Sequence, residues 1–185
     1  MRAVRILSSA VGACLFLASA SPAFAETTVM VGGAAMYPSK TIVENAVNSK
    51  DHTTLVAAVK TAGLVDTLNG AGPFTVFAPT NAAFGKLPRG TVDTLVKPEN
   101  KAMLTQILTY HVVPGRLTAA DLQKAVKDGK GKAVLKTVEG EPLTVEWKHE
   151  RLEVVDAKGG TAWVTIPDVL QSNGVIHVVD TVLMP

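Results

Sequence analysis

Two hydrophobic periods divide the chain. Over residues 38–126 apolar positions recur mainly at helical spacing, and from residue 132 onward they alternate with a period of two. Pro38-Ser39 predicts a helix start, with Ile42, Val43, Ala46 and Val47 on its apolar face. Residues 51–63 predict a second helix with Leu55, Val56, Val59 and Ala62 along one side, ended by Gly63, which is free to turn left-handed. Residues 64–69 add one more turn, closed by Asn69-Gly70. Phe74 to Phe77 reads as a strand that runs into Pro79-Thr80-Asn81. There Thr80 or Asn81 can cap a helical turn that carries Phe84 back to the core. Residues 91–96 and 98–109 predict helices, the second with a stripe of Met103, Leu104, Ile107 and Leu108. Residues 110–113 form a short strand stopped by Pro114-Gly115, and Thr118 caps a helix over residues 118–126.

Beyond this point strands take over. Residues 133–135, 143–147, 152–155, 162–166 and 175–183 alternate or run apolar, punctuated by Glu139-Gly140, Lys158-Gly159-Gly160 and Asn173-Gly174. Helices followed by closely spaced strands imply an α+β fold, not a doubly wound parallel sheet. No internal repeat or linker interrupts the pattern, so one domain is expected, preceded by an extended lead-in over residues 26–37.

The first 25 residues stand apart. Arg2 and Arg5 precede a short apolar run over residues 6–20, and Ala23-Phe24-Ala25 supplies small residues for cleavage. This is the pattern of a secretory signal peptide, with the mature chain starting at Glu26 in the periplasm or outside the cell. The run is too short to span a bilayer comfortably, and no later segment reaches about 18 consecutive apolar residues. Val11-Gly12-Ala13-Cys14 offers a competing lipid anchor at Cys14, but Leu15-Phe16-Leu17 continues the apolar run past the cysteine, which favours a soluble secreted product.

Removing the leader changes the charge. The 18 Lys and Arg lose Arg2 and Arg5, leaving 16 against 16 Asp and Glu, so a neutral mature domain gives no electrostatic case for nucleic acid. Cys14 is the single cysteine, so the mature domain has no disulfide and no thiol chemistry. About 160 residues suffice for one core that stands without such a staple.

The chemistry search returns little. No GxSxG, P-loop, CxxC or HExxH motif occurs. His52, His111, His149 and His177 lie in four different predicted elements, and a buried histidine in an apolar strand more often bonds backbone than metal. Asp168 and Asp180 flank the last hairpin as a conceivable acid/base pair, yet Asp beside a turn more often caps amides. Trp147 and Trp163 are candidate contacts for a flat or apolar ligand, or packing residues of the sheet. No motif calls for a cofactor.

Three segments carry a resemblance. Residues 72–84, Gly-Pro-Phe-Thr-Val-Phe-Ala-Pro-Thr-Asn-Ala-Ala-Phe, are similar to the first signature of the fasciclin family. Tyr110-His111-Val112-Val113-Pro114-Gly115 resembles its tyrosine–histidine motif, and residues 173–180, Asn-Gly-Val-Ile-His-Val-Val-Asp, resemble its closing signature. Their order fits one fasciclin domain over residues 38–185. The resemblance implies a β-sandwich-like wedge of strands packed with a cluster of helices. It also implies a mainly structural role for Phe74, Phe77, Pro79, Thr80, Asn81, Phe84, Tyr110, His111, Asn173, Gly174, His177 and Asp180.

For function, the resemblance implies a non-catalytic secreted or surface protein that mediates cell adhesion or protein–protein interaction. Some animal relatives bind integrins through an Asp-Ile motif before the closing signature. The equivalent stretch here is Ile166-Pro167-Asp168-Val169-Leu170, making Pro167, Asp168 and Val169 candidate partner contacts, although the motif's leading acid is lost. The alternative is an extracellular carrier of an apolar lipid or pigment, for which Trp147 and Trp163 are the candidate contacts.

Overall fold

A computed structural model describes residues 28–185; the leader, its cleavage point and Cys14 lie outside the described residues. Within the extended lead-in the chain folds back as a small hairpin, β1 (Val29–Val31) with β2 (Ala34–Met36). Gly32 and Gly33 make its tight turn at φ 58° and 77°. A Cβ on Gly32 would fall 2.5 Å from Ser49 Oγ and 2.6 Å from the Asp51 amide, so the turn docks closely against the chain that follows.

The helical half is built from short, well-capped pieces. In α1 (Ile42–Ala46), Thr41 and Glu44 form a capping box. A 3₁₀ turn, Lys50–His52, leads into α2 (Thr53–Ala62), which ends on left-handed Gly63, and then into α3 (Val65–Leu68). Strand β3 (Phe74–Pro79) follows, then α4 (Asn81–Gly85), α5 (Thr91–Leu95) and α6 (Lys101–Tyr110). Tyr110 is thus the last residue of a helix, and the strand expected at 110 begins at Val112 as β4 (Val112–Pro114). Met103, assigned to the α6 stripe, is 54% exposed, because Leu104, Ile107, Leu108 and Tyr110 alone face inward. Val47 likewise ends α1 and is exposed.

After α7 (Ala119–Asp128) come β5 (Lys132–Lys136), β6 (Pro142–Lys148), β7 (Arg151–Val155), β8 (Thr161–Gln171) and β9 (Gly174–Val179). Strand β8 is longer than expected and passes through Pro167, which it tolerates because its register with β9 shifts on both sides of Ile166. Strand β9 is shorter than expected and stops before Asp180. The α+β architecture takes the form of one seven-stranded mixed sheet in the order β4-β3-β9-β8-β7-β6-β5. Its β3–β9 pair is parallel and the other pairs are antiparallel. The sheet curls until its ends approach, where the Val138 amide donates to the Val112 carbonyl at 2.8 Å.

Two cores result. One lies between α1–α6 and one face of β3 and β9, with Val76, Ala78, Ile176 and Val178. The other fills the curl of the sheet beneath α7, with Phe77, Tyr110, Leu122, Val154, Val179 and Leu183. Strands β3 and β9 separate the two and are covered on both faces, which is why their sequences run apolar without alternation.

Candidate functional site

The sequence motifs converge on the two central strands. Phe77 on β3 stacks on His177 of β9 with ring centroids 5.7 Å apart. Thr80 caps α4 by accepting the Ala83 amide at 3.2 Å. Asn81 caps a different helix: its Oδ1 accepts the Thr54 amide at 2.9 Å and its Nδ2 donates to the Lys50 carbonyl at 2.8 Å. The two capping candidates therefore both act, on two elements. Phe84 is buried in the helical core, as the turn geometry requires.

Asn173 ties the last turn to the helices. Its Oδ1 accepts the Ile42 amide at 3.0 Å, while Nδ2 donates to the Leu68 and Gly70 carbonyls at 2.7 and 3.1 Å. Beside it, a Cβ on Gly174 would stand 2.1 Å from the Phe74 carbonyl oxygen, so only glycine lets β9 start against β3. The Tyr110 hydroxyl donates to the Pro142 carbonyl and accepts the Ala157 amide; burial raises its pKa.

The histidines have opposite, geometrically assigned tautomers. The Leu183 amide donates to His111 Nε2 at 3.0 Å, so the proton sits on Nδ1, which donates to the Ile107 carbonyl at 2.8 Å. In His177 the Asp168 amide donates to Nδ1 at 3.3 Å, and Nε2 donates to the Leu117 carbonyl at 2.8 Å. Burial pushes His111 down to about 4 and lowers His52 and His177 as well, so all three rings are neutral at pH 7. His52 bonds Ser49 Oγ through Nδ1 at 2.9 Å. Among the described residues no group of three or more His, Cys, Asp or Glu could hold a metal.

Asp168 and Asp180 are held by different partners. Asp180 Oδ1 accepts the Trp163 amide at 2.9 Å and its Oδ2 meets Lys86 Nζ at 3.1 Å. Burial works to raise the Asp180 pKa, but the Trp163 amide, Lys86 and Thr181 together hold it below the usual carboxylate value. Asp168 instead stands at the N-terminus of α7, where its Oδ1 accepts the Ala119 amide at 2.7 Å. Its own amide reaches His177, and its φ of 55° marks the kink that makes both bonds possible.

This kink sorts the candidate contacts. Pro167 is exposed and Asp168 half-buried, but Val169 is 1% exposed within the helical core. The sequence expectation for Val169 is therefore corrected: it packs against the core and presents no contact surface. Leu170, which the motif reading passed over, is 39% exposed on the same strand. Alternation along a strand would have identified it, since neighbours on β8 point to opposite faces. The exposed Arg116 donates to the Gln171 carbonyl beside it.

The tryptophans do not share a site. Trp147 pairs with Leu152 and Trp163 with Glu153, and these adjacent β7 residues face opposite sides of the sheet. Arg151 covers the Trp163 ring, 4.9 Å from its centroid. Neither tryptophan lines the apolar cavity between helices and sheet, which is bounded by residues such as Met36, Ile42, Leu55, Val59, Phe77 and Ile176. At about 50 Å³ that cavity is far below the several hundred Å³ of a typical ligand pocket.

Comparison with known proteins agrees with this geometry. The fasciclin domain family matches residues 50–185. The chain is 48% identical over 160 residues to the protein sll1483 of Synechocystis sp., covering 86% of this chain and 82% of that protein. It is 43% identical over 122 residues to the cell surface glycolipoprotein MPB83 of Mycobacterium bovis, covering 66% of this chain and 48% of that relative's length. The fold superposes on a FAS1 domain pair from the insect cell adhesion molecule fasciclin I with a TM-score of 0.72 at 20% identity, over 87% of this chain and 59% of that one.

Proposed function

The chain belongs to the fasciclin domain family, and from that premise we propose that it is a non-catalytic secreted or surface protein that attaches cells or a protein partner through this domain. The observation that carries the reading is the use of the motif side chains. Asn81, Tyr110, His111, Asn173, His177 and Asp180 are each engaged in bonds that hold the fold together, which leaves recognition to the outer surface. A relative is a cell surface glycolipoprotein, and the superposed domain pair comes from a cell adhesion molecule; both are compatible with such a role. No helix among the described residues is long and apolar enough to cross a membrane.

The same reading has the leader removed after Ala25 and residues 38–185 acting as the single domain; the intact mass of the exported protein tests the cleavage. The contact patch proposed is Pro167, Asp168 and Leu170, where the kink in β8 leaves Pro167 and Leu170 exposed beside the half-buried Asp168. A surface coated with folded protein is expected to retain cells, and Leu170→Glu to reduce that retention several-fold while leaving the melting temperature nearly unchanged, because Leu170 lies outside both cores. Retention unaffected by Leu170→Glu would move the patch elsewhere. No retention by the folded wild type, on cells or on any extracted surface fraction, would remove the adhesion reading.

A further inference from the structure

Residues 181–185 follow β9 but belong to no strand or helix, yet two of their side chains are deeply buried. Val182 enters the helical core and Leu183 the core inside the curled sheet. The Leu183 and Met184 amides are anchored by side chains: Leu183 donates to His111 Nε2 at 3.0 Å and Met184 to Asp156 Oδ2 at 3.1 Å. By contrast, β9 is paired along both sides, to β3 and to β8.

The His111 anchor works only while the ring is neutral. Its Nδ1 proton is already directed at the Ile107 carbonyl, so a second proton has to settle on Nε2 and would point at the Leu183 N–H. Ring rotation offers no escape, because it would exchange one lost bond for another. Several groups face this ring. Asp156, in the β7–β8 loop, favours its charged form, and Tyr110 precedes it on α6. His52 and Lys60 line the same small cavity from the 3₁₀ turn and α2. Burial outweighs the pull of Ile107 and Asp156 and holds the ring neutral to about 4 while the segment is in place.

We propose that residues 181–185 form an acid-released latch: a proton on His111 Nε2 breaks the Leu183 anchor and lets the segment leave both cores while the β3–β9 pair stays folded. Departure of the segment removes the Leu183 amide that stands 3.0 Å from His111 Nε2 and frees that nitrogen, so the open form takes up the proton that the closed form refuses. Opening then exposes apolar core surface only in acid, which makes the latch a pH-dependent control on what the domain can contact. A segment held by two side-chain anchors opens more readily than a strand paired on both edges.

Amide hydrogen exchange on ¹⁵N-labelled protein between pH 7 and 4.5, corrected for intrinsic exchange rates, tests this. Protection of the Leu183 amide is expected to fall by up to about tenfold per pH unit below 6.5, the slope for uptake of one proton, while Val178 in β9 stays much better protected. His111→Gln keeps an acceptor for Leu183 but does not titrate, and its Leu183 protection is expected to be flat over this range. Should that variant fail to fold, the wild-type ring decides: its own resonances are expected to stay those of a neutral imidazole at pH 6 and to titrate only toward about 4, while Leu183 protection already falls with the slope of one proton. The latch is overturned if Leu183 exchanges in step with Val178 at every pH, if its protection does not change with pH, or if the ring of the closed protein already titrates near 6.5.

Discussion

At Asp168 a single side chain connects β8 to the start of α7, and its left-handed backbone aims the amide at His177. Its carboxylate also meets the positive end of the α7 dipole. Asp168→Ala is therefore expected to cost about 1 kcal/mol, as loss of a helix-terminal acceptor does, and Asp168→Asn to recover most of it because the amide oxygen still accepts from Ala119. Urea denaturation of the two variants measures this; equal losses would assign the effect to charge instead of the hydrogen bond. Any attachment assay on Asp168→Ala needs that stability measured first, since a residue can fail in adhesion by failing in the fold. The capping reading of Asp168 was open to sequence, because Asp near a turn bonds backbone amides. Its partner was not, since Ala119 lies 49 positions away.

Among the elements, the parallel β3–β9 pair organises the rest, because it lies at the centre of the sheet order and supplies side chains to both cores. Its register begins at Phe74 opposite Gly174, where the backbones approach too closely for any side chain. Gly174→Ala is expected to destabilise more than Thr118→Ala. The first must separate two central strands, whereas the second removes one capping box at the exposed start of α7, worth about 1 kcal/mol. Thermal melts of the two variants give the ranking, and a smaller effect at Gly174 would mean that β9 starts elsewhere. Caps were partly legible from sequence at this scale: Thr80 and Thr118 cap as their positions suggest, whereas the first helix starts at Ile42 under a Thr41 cap and not at Pro38-Ser39. The parallel pairing was not, because two apolar runs about 100 residues apart carry no mark of their relative direction.

For the molecule as a whole, three buried neutral histidines make stability depend on acidity. Unfolding returns each ring toward its ordinary value of about 6.5, so the unfolded chain binds protons first as pH falls. Stability is therefore full above pH 6.5 and declines below it, with His111 alone contributing a loss of about 3 kcal/mol by pH 4. Urea midpoints recorded at pH 7, 5.5 and 4.5 should fall monotonically, and His111→Gln should flatten part of the slope. A midpoint constant from pH 7 to 4.5 would mean that these rings are solvated.

The residue pattern by itself determined the α+β class, the positions of most helices and strands, and the caps at Thr80 and Thr118. These are local properties, set by periodicity over a few turns and by side chains that bond their own neighbourhood. Tertiary structure decided which face each residue serves. It buried Val169 and left Leu170 exposed, set Trp147 and Trp163 on opposite faces, made Asp168 a cap for a distant helix, and placed His111 under Leu183. The physical reason is that burial and acceptor geometry depend on what arrives from elsewhere in the chain. A carboxylate or an imidazole reads the same in sequence whether it meets water, a helix amide or the segment that closes a core.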